Sequence, residues 1–274
     1  MLKNSPDLWL NKLPKLSADS NKYSRGYALV CAGEMTGASI LASRAAQRIG
    51  AGYVVLLSPE NVKEIYAVAL PSVVIKDFES TENFAKFIVA EKRIDAVLIG
   101  CGFGVGELCR ENVLAILQSG INCVLDADAL TSFEGRAEEL FVAIKGSDSD
   151  VVLTPHDGEF ERLFKFSPNN DRFFAALTAA KESGAAILLK GEKTIIATVN
   201  GEAVINENAP PSLATAGSGD VLAGMIVGLV AGGMDIYDAA CAATFIHGEC
   251  GNLAGRGLIA EDLVAEIPEV IKGF

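Results

Sequence analysis

Alternation is the strongest constraint on how this chain can fold. Short apolar, β-prone runs stand at 27–32, 53–58, 72–76, 96–100, 122–126, 151–154, 186–190 and 194–199. Helical patterns separate them at 37–49, 82–91, 107–118, 159–164 and 171–183. Several runs are apolar at consecutive positions, as strands are when helices cover both faces of their sheet. Strand–helix alternation of this kind predicts an α/β fold with a mostly parallel central sheet and helices on both sides. One pair of runs departs from it. Ile187-Leu188-Leu189-Lys190 and Thr194-Ile195-Ile196-Ala197 are joined only by Gly191-Glu192-Lys193, which predicts a hairpin. After Gly219 the pattern is helical throughout, over 220–230, 235–253 and 261–271. No internal repeat, low-complexity stretch or linker interrupts the chain, so a single domain over 1–274 is expected, with 1–22 as an N-terminal extension.

The most informative stretch opens the last of these helical regions. Gly217-Ser218-Gly219 runs straight into a long apolar helix, with Asp220 at the junction. The first amides of a helix lack internal partners, and with the helix dipole they seat an anion such as phosphate. A carboxylate beside bound phosphate is unfavourable unless it has work to do. Taking a proton from a hydroxyl that attacks phosphorus is such work. The plainer alternative is an acid that complements the helix dipole.

Composition removes several function classes. A formal net charge of -12 disfavours nucleic acid as a partner. The six cysteines (31, 101, 109, 123, 241 and 250) form no Cys-x-x-Cys pair and stand in apolar contexts, which predicts buried free thiols in a reducing compartment. Two histidines are too few for a multi-histidine metal centre. The first 21 residues carry no apolar core of signal-peptide type, and no apolar run is long enough to span a membrane, so a soluble cytoplasmic protein is expected.

Open α/β sheets gather ligands at the carboxyl ends of their strands. Five loops predicted there carry unusual residues. Cys31-Ala-Gly-Glu-Met-Thr-Gly37-Ala38 and Gly100-Cys-Gly102-Phe-Gly104 bring glycine to strand ends, although the first, taken alone, is better read as an ordinary strand-to-helix turn and the second lacks the spacing of a dinucleotide fingerprint. Asp126 and Asp128 can hold Mg²⁺ through water or cap the next turn. In Thr154-Pro155-His156-Asp157-Gly158-Glu159, His156 and Glu159 are three apart at a helix start, where they can face one site or form a cap. Lys190 offers a point charge to a phosphate, or belongs to a solvated hairpin tip.

Taken together and in this order, the loops resemble the ribokinase-like superfamily, and within it the ADP-dependent NAD(P)H-hydrate dehydratases. The resemblance rests on Tyr23-Ser-Arg-Gly26, Gly37-Ala38, Gly100-x-Gly-x-Gly104, Asp126-Ala-Asp-Ala-Leu130, Thr154-Pro-His-x-Gly-Glu159, Lys190-Gly191-x-x-Thr194 and Ala216–Gly224, and spans about residues 20–255. It implies a three-layer α/β/α ribokinase-like fold. The implied reaction removes the C6 hydroxyl from the S epimer of hydrated NADH or NADPH at the expense of ADP, giving AMP and phosphate. Asp220 matches the catalytic acid at the hydrate's hydroxyl. Ala38, Gly104 and His156 match contacts to the hydrated nicotinamide nucleotide. Lys190, Gly191, Glu192, Lys193, Thr194 and Gly219 match the nucleotide site, Gly217, Ser218 and Gly219 the anion hole, and Glu159 an indirect, water-mediated hold on Mg²⁺. A homotetramer is implied as well, and an epimerase carried on a separate chain.

The sequence departs from the family where Asp157 replaces a common proline, where Ala216 precedes the glycine turn, where Thr131 follows the Asp-Ala-Asp-Ala-Leu run, and in a short loop before Gly37. Asp157 brings extra negative charge near two phosphorylated ligands. The nearest alternative activity is that of a ribokinase-like, ATP-dependent kinase of a thiazole, pyrimidine or sugar alcohol. A non-catalytic nucleotide sensor would not need Asp220.

Overall fold

The computed structural model describes residues 2–274. Ten strands form one sheet: β1 (Leu2–Lys3), β2 (Tyr27–Cys31), β3 (Tyr53–Pro59), β4 (Val74–Phe78), β5 (Ala96–Ile99), β6 (Asn122–Leu125), β7 (Val151–Leu153), β8 (Ala186–Leu189), β9 (Thr194–Ala197) and β10 (Ala203–Asn206). Their spatial order is β1-β10-β9-β8-β7-β6-β5-β2-β3-β4. Only β9 runs against its neighbours, forming the expected hairpin with β8 and a second antiparallel pair with β10.

Eleven α-helices are described. They are α1 (Thr36–Ile49), α2 (Lys63–Ala69), α3 (Thr81–Ala90), α4 (Glu107–Ser119), α5 (Asp128–Thr131), α6 (Ala137–Lys145), α7 (Asp157–Phe164), α8 (Arg172–Ser183), α9 (Ser218–Ala231), α10 (Ile236–Ala254) and α11 (Ala260–Ile271). The two-residue period of the strands divides the core into two layers. Ala28, Val30, Val124 and Leu188 face a cluster built with α1, α9, α10 and α11. Their neighbours Leu29, Cys31, Leu125 and Leu189 face the cluster of α3, α4, α6, α7 and α8. This double cover explains why the strands read as unbroken apolar runs.

Helix α9 is buried from Val221 to Ala231 because it is wedged between the sheet and α1, α10 and α11. Its glycines set the distance to α1. A Cβ on Gly224 would lie 2.2 Å from Ala42 O, and one on Gly228 2.8 Å from Ala46 O. The segment ahead of β2 is tied into the same layer. β1 pairs with β10, and Trp9 is fully buried with its indole donating to Asn4 Oδ1 at 3.1 Å.

Two kinds of element, and one strand boundary, differ from what the sequence predicts. β1 and β10 are too short to stand out alone, and pairing with β9 and each other makes them strands. The helices α2, α5 and α6 are not marked by the sequence pattern. β4 begins two residues later than expected, because Ser72 instead donates its hydroxyl to Gln47 Oε1 on α1. All six cysteines are buried and unpaired, and among the described residues no helix is long and apolar enough to cross a membrane.

Replacing glycine by alanine inside a helix normally gains about 1 kcal/mol from propensity. At Gly224 overpacking against the α1 backbone outweighs that gain. Gly224→Ala is expected to lose about 1–3 kcal/mol of stability, read as a lower urea midpoint; a raised midpoint would show that α1 and α9 do not pack this closely.

Candidate active site

The chain runs outward from β2 to β3 and β4, then returns to β5 and builds the other half of the sheet. Strand order therefore reverses between β2 and β5, and a crevice opens at their carboxyl ends. The loops singled out in the sequence converge there, joined by the start of α9. Two clefts, of about 690 and 710 Å³, lie elsewhere: one is lined by Val151, Ala186 and Ala203 at the opposite ends of the strands, the other by Leu10, Pro14 and Ile271. Neither contains any of the convergent carboxylates, and the chemistry assigns the site to the switch point.

Gly217 caps α9 in the left-handed region, with φ 86°, a conformation that favours glycine. Its turn leaves the amides of Gly217, Gly219 and Asp220 without hydrogen-bond partners among the described residues, whereas Ser218 N donates to Thr215 O at 3.4 Å. Three free donors at a helix start form the anion seat. Lys190 adds a positive charge beside them, since a Cβ on Gly219 would lie 3.5 Å from Lys190 Nζ.

Beneath this seat lies Asp126, 2% exposed. Its Oδ1 accepts from Thr154 Oγ1 and from Lys190 Nζ, each at 2.7 Å, and Oδ2 faces Cys101 Sγ at 3.8 Å. Glu159 Oε2 is 3.8 Å from the same ammonium. Burial works against the Lys190 charge, but Asp126 and Glu159 outweigh it and hold its pKa above the ordinary lysine value. Ala127, between Asp126 and Asp128, has φ 46°, a strained conformation for a residue with a side chain. It sends the two carboxylates to different tasks. Asp128 Oδ2 accepts from Gly104 N at 2.9 Å, and neither acid caps α5 through its side chain.

Asp220 projects from the first turn of α9 toward this group. An oxygen of Asp220, one of Asp126 and Cys101 Sγ all lie within 4.8 Å of one another. Burial, and then the negative charges of Asp126 and Asp128, push Asp220 up to about 6, while Cys101 and Lys190 pull the other way. A carboxyl group at that value is a competent base near neutral pH.

His156 caps α7. Its Nδ1 accepts from Gly158 N at 3.0 Å and Glu159 N at 3.3 Å, and Glu159 Oε2 accepts from His156 N at 2.8 Å. Because Nδ1 accepts, the ring proton sits on Nε2, which faces Glu159 Oε1 at 3.4 Å while the ring stays half-exposed. His156 and Glu159 thus form the cap together, with the ring left half-exposed. Of the hairpin residues, Lys190 enters the site, Gly191 and Glu192 are exposed at its tip, Lys193 turns away to pair with Glu207 at 2.9 Å, and Thr194 bonds back to Gly191 O at 3.2 Å. Ala38 borders the Gly100–Gly106 loop, its Cβ 3.0 Å from where a Cβ on Gly102 would be, and Gly104 is exposed.

Residue patterns had not singled out three participants. Arg172 pairs with Asp157 at 2.5 Å, which offsets the extra negative charge there. Cys101 stands between the two carboxylates. His247, on α10, is buried and donates from Nε2 to Ser218 O at 3.1 Å; burial and then Lys190 pull its pKa down to about 4, so it is neutral. Its signal was faint: one of only two histidines in the chain.

The doubly wound sheet with helices on both faces has the ribokinase-like α/β/α fold. The sequence pattern of the NAD(P)H-hydrate dehydratase family matches residues 28–271. The chain belongs to that family. The ADP-dependent (S)-NAD(P)H-hydrate dehydratase of Neisseria meningitidis is 35% identical over 259 residues, covering 91% of this chain and 84% of that protein. The bifunctional NAD(P)H-hydrate repair enzyme of Salinibacter ruber is 35% identical over 274 residues, covering 94% of this chain. The chain spans about half the length of such bifunctional relatives, 50% in that case. The Bacillus subtilis ADP/ATP-dependent NAD(P)H-hydrate dehydratase, co-crystallised with ATP and Mg²⁺, superposes with a TM-score of 0.88 at 30% identity, covering 99% of this chain and 98% of that one.

The raised value of Asp220 carries a stability consequence. Its folded-state pKa exceeds the ordinary 3.8, so the folded protein holds this proton more tightly than the unfolded chain does. The resulting stabilisation is present below about pH 4 and lost as pH rises through about 6. Above pH 6 the ionised carboxylate is a burden of up to about 3 kcal/mol. Asp220→Asn is therefore expected to melt higher than wild type at pH 8 and to match it below pH 4; equal melting temperatures at both pH values would show that Asp220 is not desolvated.

Proposed function

We propose that this chain dehydrates the 6S hydrate of NADH or NADPH at the expense of ADP, giving AMP, phosphate and the restored dinucleotide. One observation carries the reading. Asp220, raised to about 6, stands at the start of a helix whose first amides are free, with Lys190 alongside. The family supports the substrate, and the ADP- and ADP/ATP-dependent relatives support the nucleotide, with ATP as a second possible donor.

Hydroxide is a poor leaving group at neutral pH and phosphate a good one. Asp220 takes the proton of the C6 hydroxyl as its oxygen attacks the β-phosphorus. The new O–P bond forms as the bridging bond breaks, and AMP departs. The ring-nitrogen lone pair then expels phosphate from C6, and loss of a C5 proton restores the dihydropyridine. The free amides of Gly217, Gly219 and Asp220 stabilise the transferring group. Losing a donor of this kind typically costs about 10²–10³ in rate. Lys190, fixed by Asp126, supplies charge without mobility. The half-exposed His156 ring and the exposed Gly104 of the Gly100–Gly106 loop would meet the nicotinamide end.

The residues fit Mg²⁺ in an outer role. Asp126 and Glu159 already accept hydrogen bonds from Lys190, Thr154 and the His156 amide, so they suit a hydrated cation better than direct ligation. When bound, the ion would neutralise charge on the nucleotide phosphates.

The direct test mixes purified protein with hydrated NADH, Mg²⁺ and either ADP or ATP. Recovery of the reduced-nicotinamide absorbance, with AMP and phosphate formed from ADP, is expected. A stable phosphorylated product without recovery would identify kinase chemistry instead. Because the carboxylate form of Asp220 is the active one, kcat/KM is expected to fall about tenfold per pH unit below about 6. Asp220→Asn should fold and lose about 10²–10⁴ in rate; near wild-type turnover in that variant would remove Asp220 from this role.

A further inference from the structure

Arg172, the first residue of α8, touches two loops at once. Its Nη1 donates to Asp157 Oδ1 at 2.5 Å, and Nη2 donates to Lys190 O at 2.8 Å and more loosely to Leu189 O at 3.5 Å. Asp157 lies on the first turn of α7, next to His156. Lys190 opens the β8–β9 turn. The Arg172 side chain is 24% exposed and that of Asp157 46%, so the clamp is shielded mainly on the guanidinium side.

Lys190 is thereby held at three points. Its amide donates to Pro155 O at 2.9 Å, its ammonium is fixed by Asp126, and its carbonyl is fixed by Arg172. In a trans peptide the carbonyl and the following N–H point in opposite directions. Fixing Lys190 O toward Arg172 turns the Gly191 N–H to the other side of that peptide plane, where no group among the described residues accepts it. The guanidinium also occupies the space of a side chain at Gly191, for a Cβ there would lie 2.6 Å from Arg172 Nη2.

We propose that Arg172 is a positioning residue that aims the Gly191 N–H at the adenine nucleotide, with Asp157 keeping the guanidinium in line. This rests on the reading of the Lys190–Thr194 turn as the nucleotide loop. Arginine suits the role because its planar fork reaches acceptors in two directions, which a lysine ammonium does not do from one place. The Asp157 carboxylate is therefore part of the nucleotide site's frame, with Oδ1 paired to Arg172.

Calorimetric titration with AMP and with ADP tests this without turnover. Arg172→Gln is expected to weaken both affinities about tenfold, the scale of a hydrogen bond to a charged group. Asp157→Asn should weaken them by about threefold, and the double variant no further than Arg172→Gln alone. Arg172→Lys should recover only part of the loss. Melting temperature and the KM for the hydrate should change little in each. AMP bound by Arg172→Gln within twofold of wild type would overturn the proposal, as would a hydrate KM rising in step with the nucleotide loss. If Arg172→Gln fails to fold, unchanged AMP affinity in Asp157→Asn overturns it. Wild-type protein that binds neither AMP nor ADP would instead overturn the functional reading on which the proposal stands.

Discussion

The Lys190–Asp126 ion pair is the interaction on which the rest of the site depends. It joins the ends of β8 and β6 at 2.7 Å, in a place where both partners are largely withdrawn from water. A buried carboxylate left without its cation is costly, commonly by about 3–5 kcal/mol. With the cation present, Asp126 can sit within a few ångströms of Asp220 and raise its proton affinity without destroying it. The same ammonium faces Glu159 and the start of α9, so one side chain balances three carboxylates and one anion seat.

That balance has a cost in the resting protein. Asp220 is kept in surroundings that disfavour its charge, Ala127 is held in a strained backbone state, and three amides of α9 are left open. Each is unfavourable without a ligand, and each is supported by packing around it: the buried α9 helix, the small residues between α1 and α9, and the His247 bond that anchors Ser218 from behind. Rigid surroundings make such an arrangement possible, because the groups do not need to reorganise when a charged substrate arrives.

Much of this was legible in the sequence. Consecutive apolar positions and helical spacings gave the strand–helix order, because burial on both faces leaves little room for polar residues. Gly217-Ser218-Gly219-Asp220 was legible for a different reason: a turn, an unsatisfied helix end and an acid are all local. What depended on distant pairing was not. Asp126 could be read as a cap or a ligand until the structure placed Lys190, sixty-four positions later, against it. Asp157 looked like added negative charge because its partner, Arg172, lies on another helix. His247 gave almost no signal, since its role comes from meeting Ser218 across two helices. β1 and β10 escaped notice because two and four residues carry too little pattern of their own.

The short strand at the sheet's edge has a kinetic meaning. Leu2 pairs with Val204 and Lys3 with Ile205, so this contact closes one of the longest loops the chain contains. Loop closure on that scale is slow relative to the local β–α units, which can assemble from neighbouring segments. Until it happens, the β10 backbone presents an unpaired edge, the kind of surface that invites association between chains. Seating of the leading segment, with Trp9 behind it, therefore covers the β10 edge, while β4 stays the edge at the other end of the sheet.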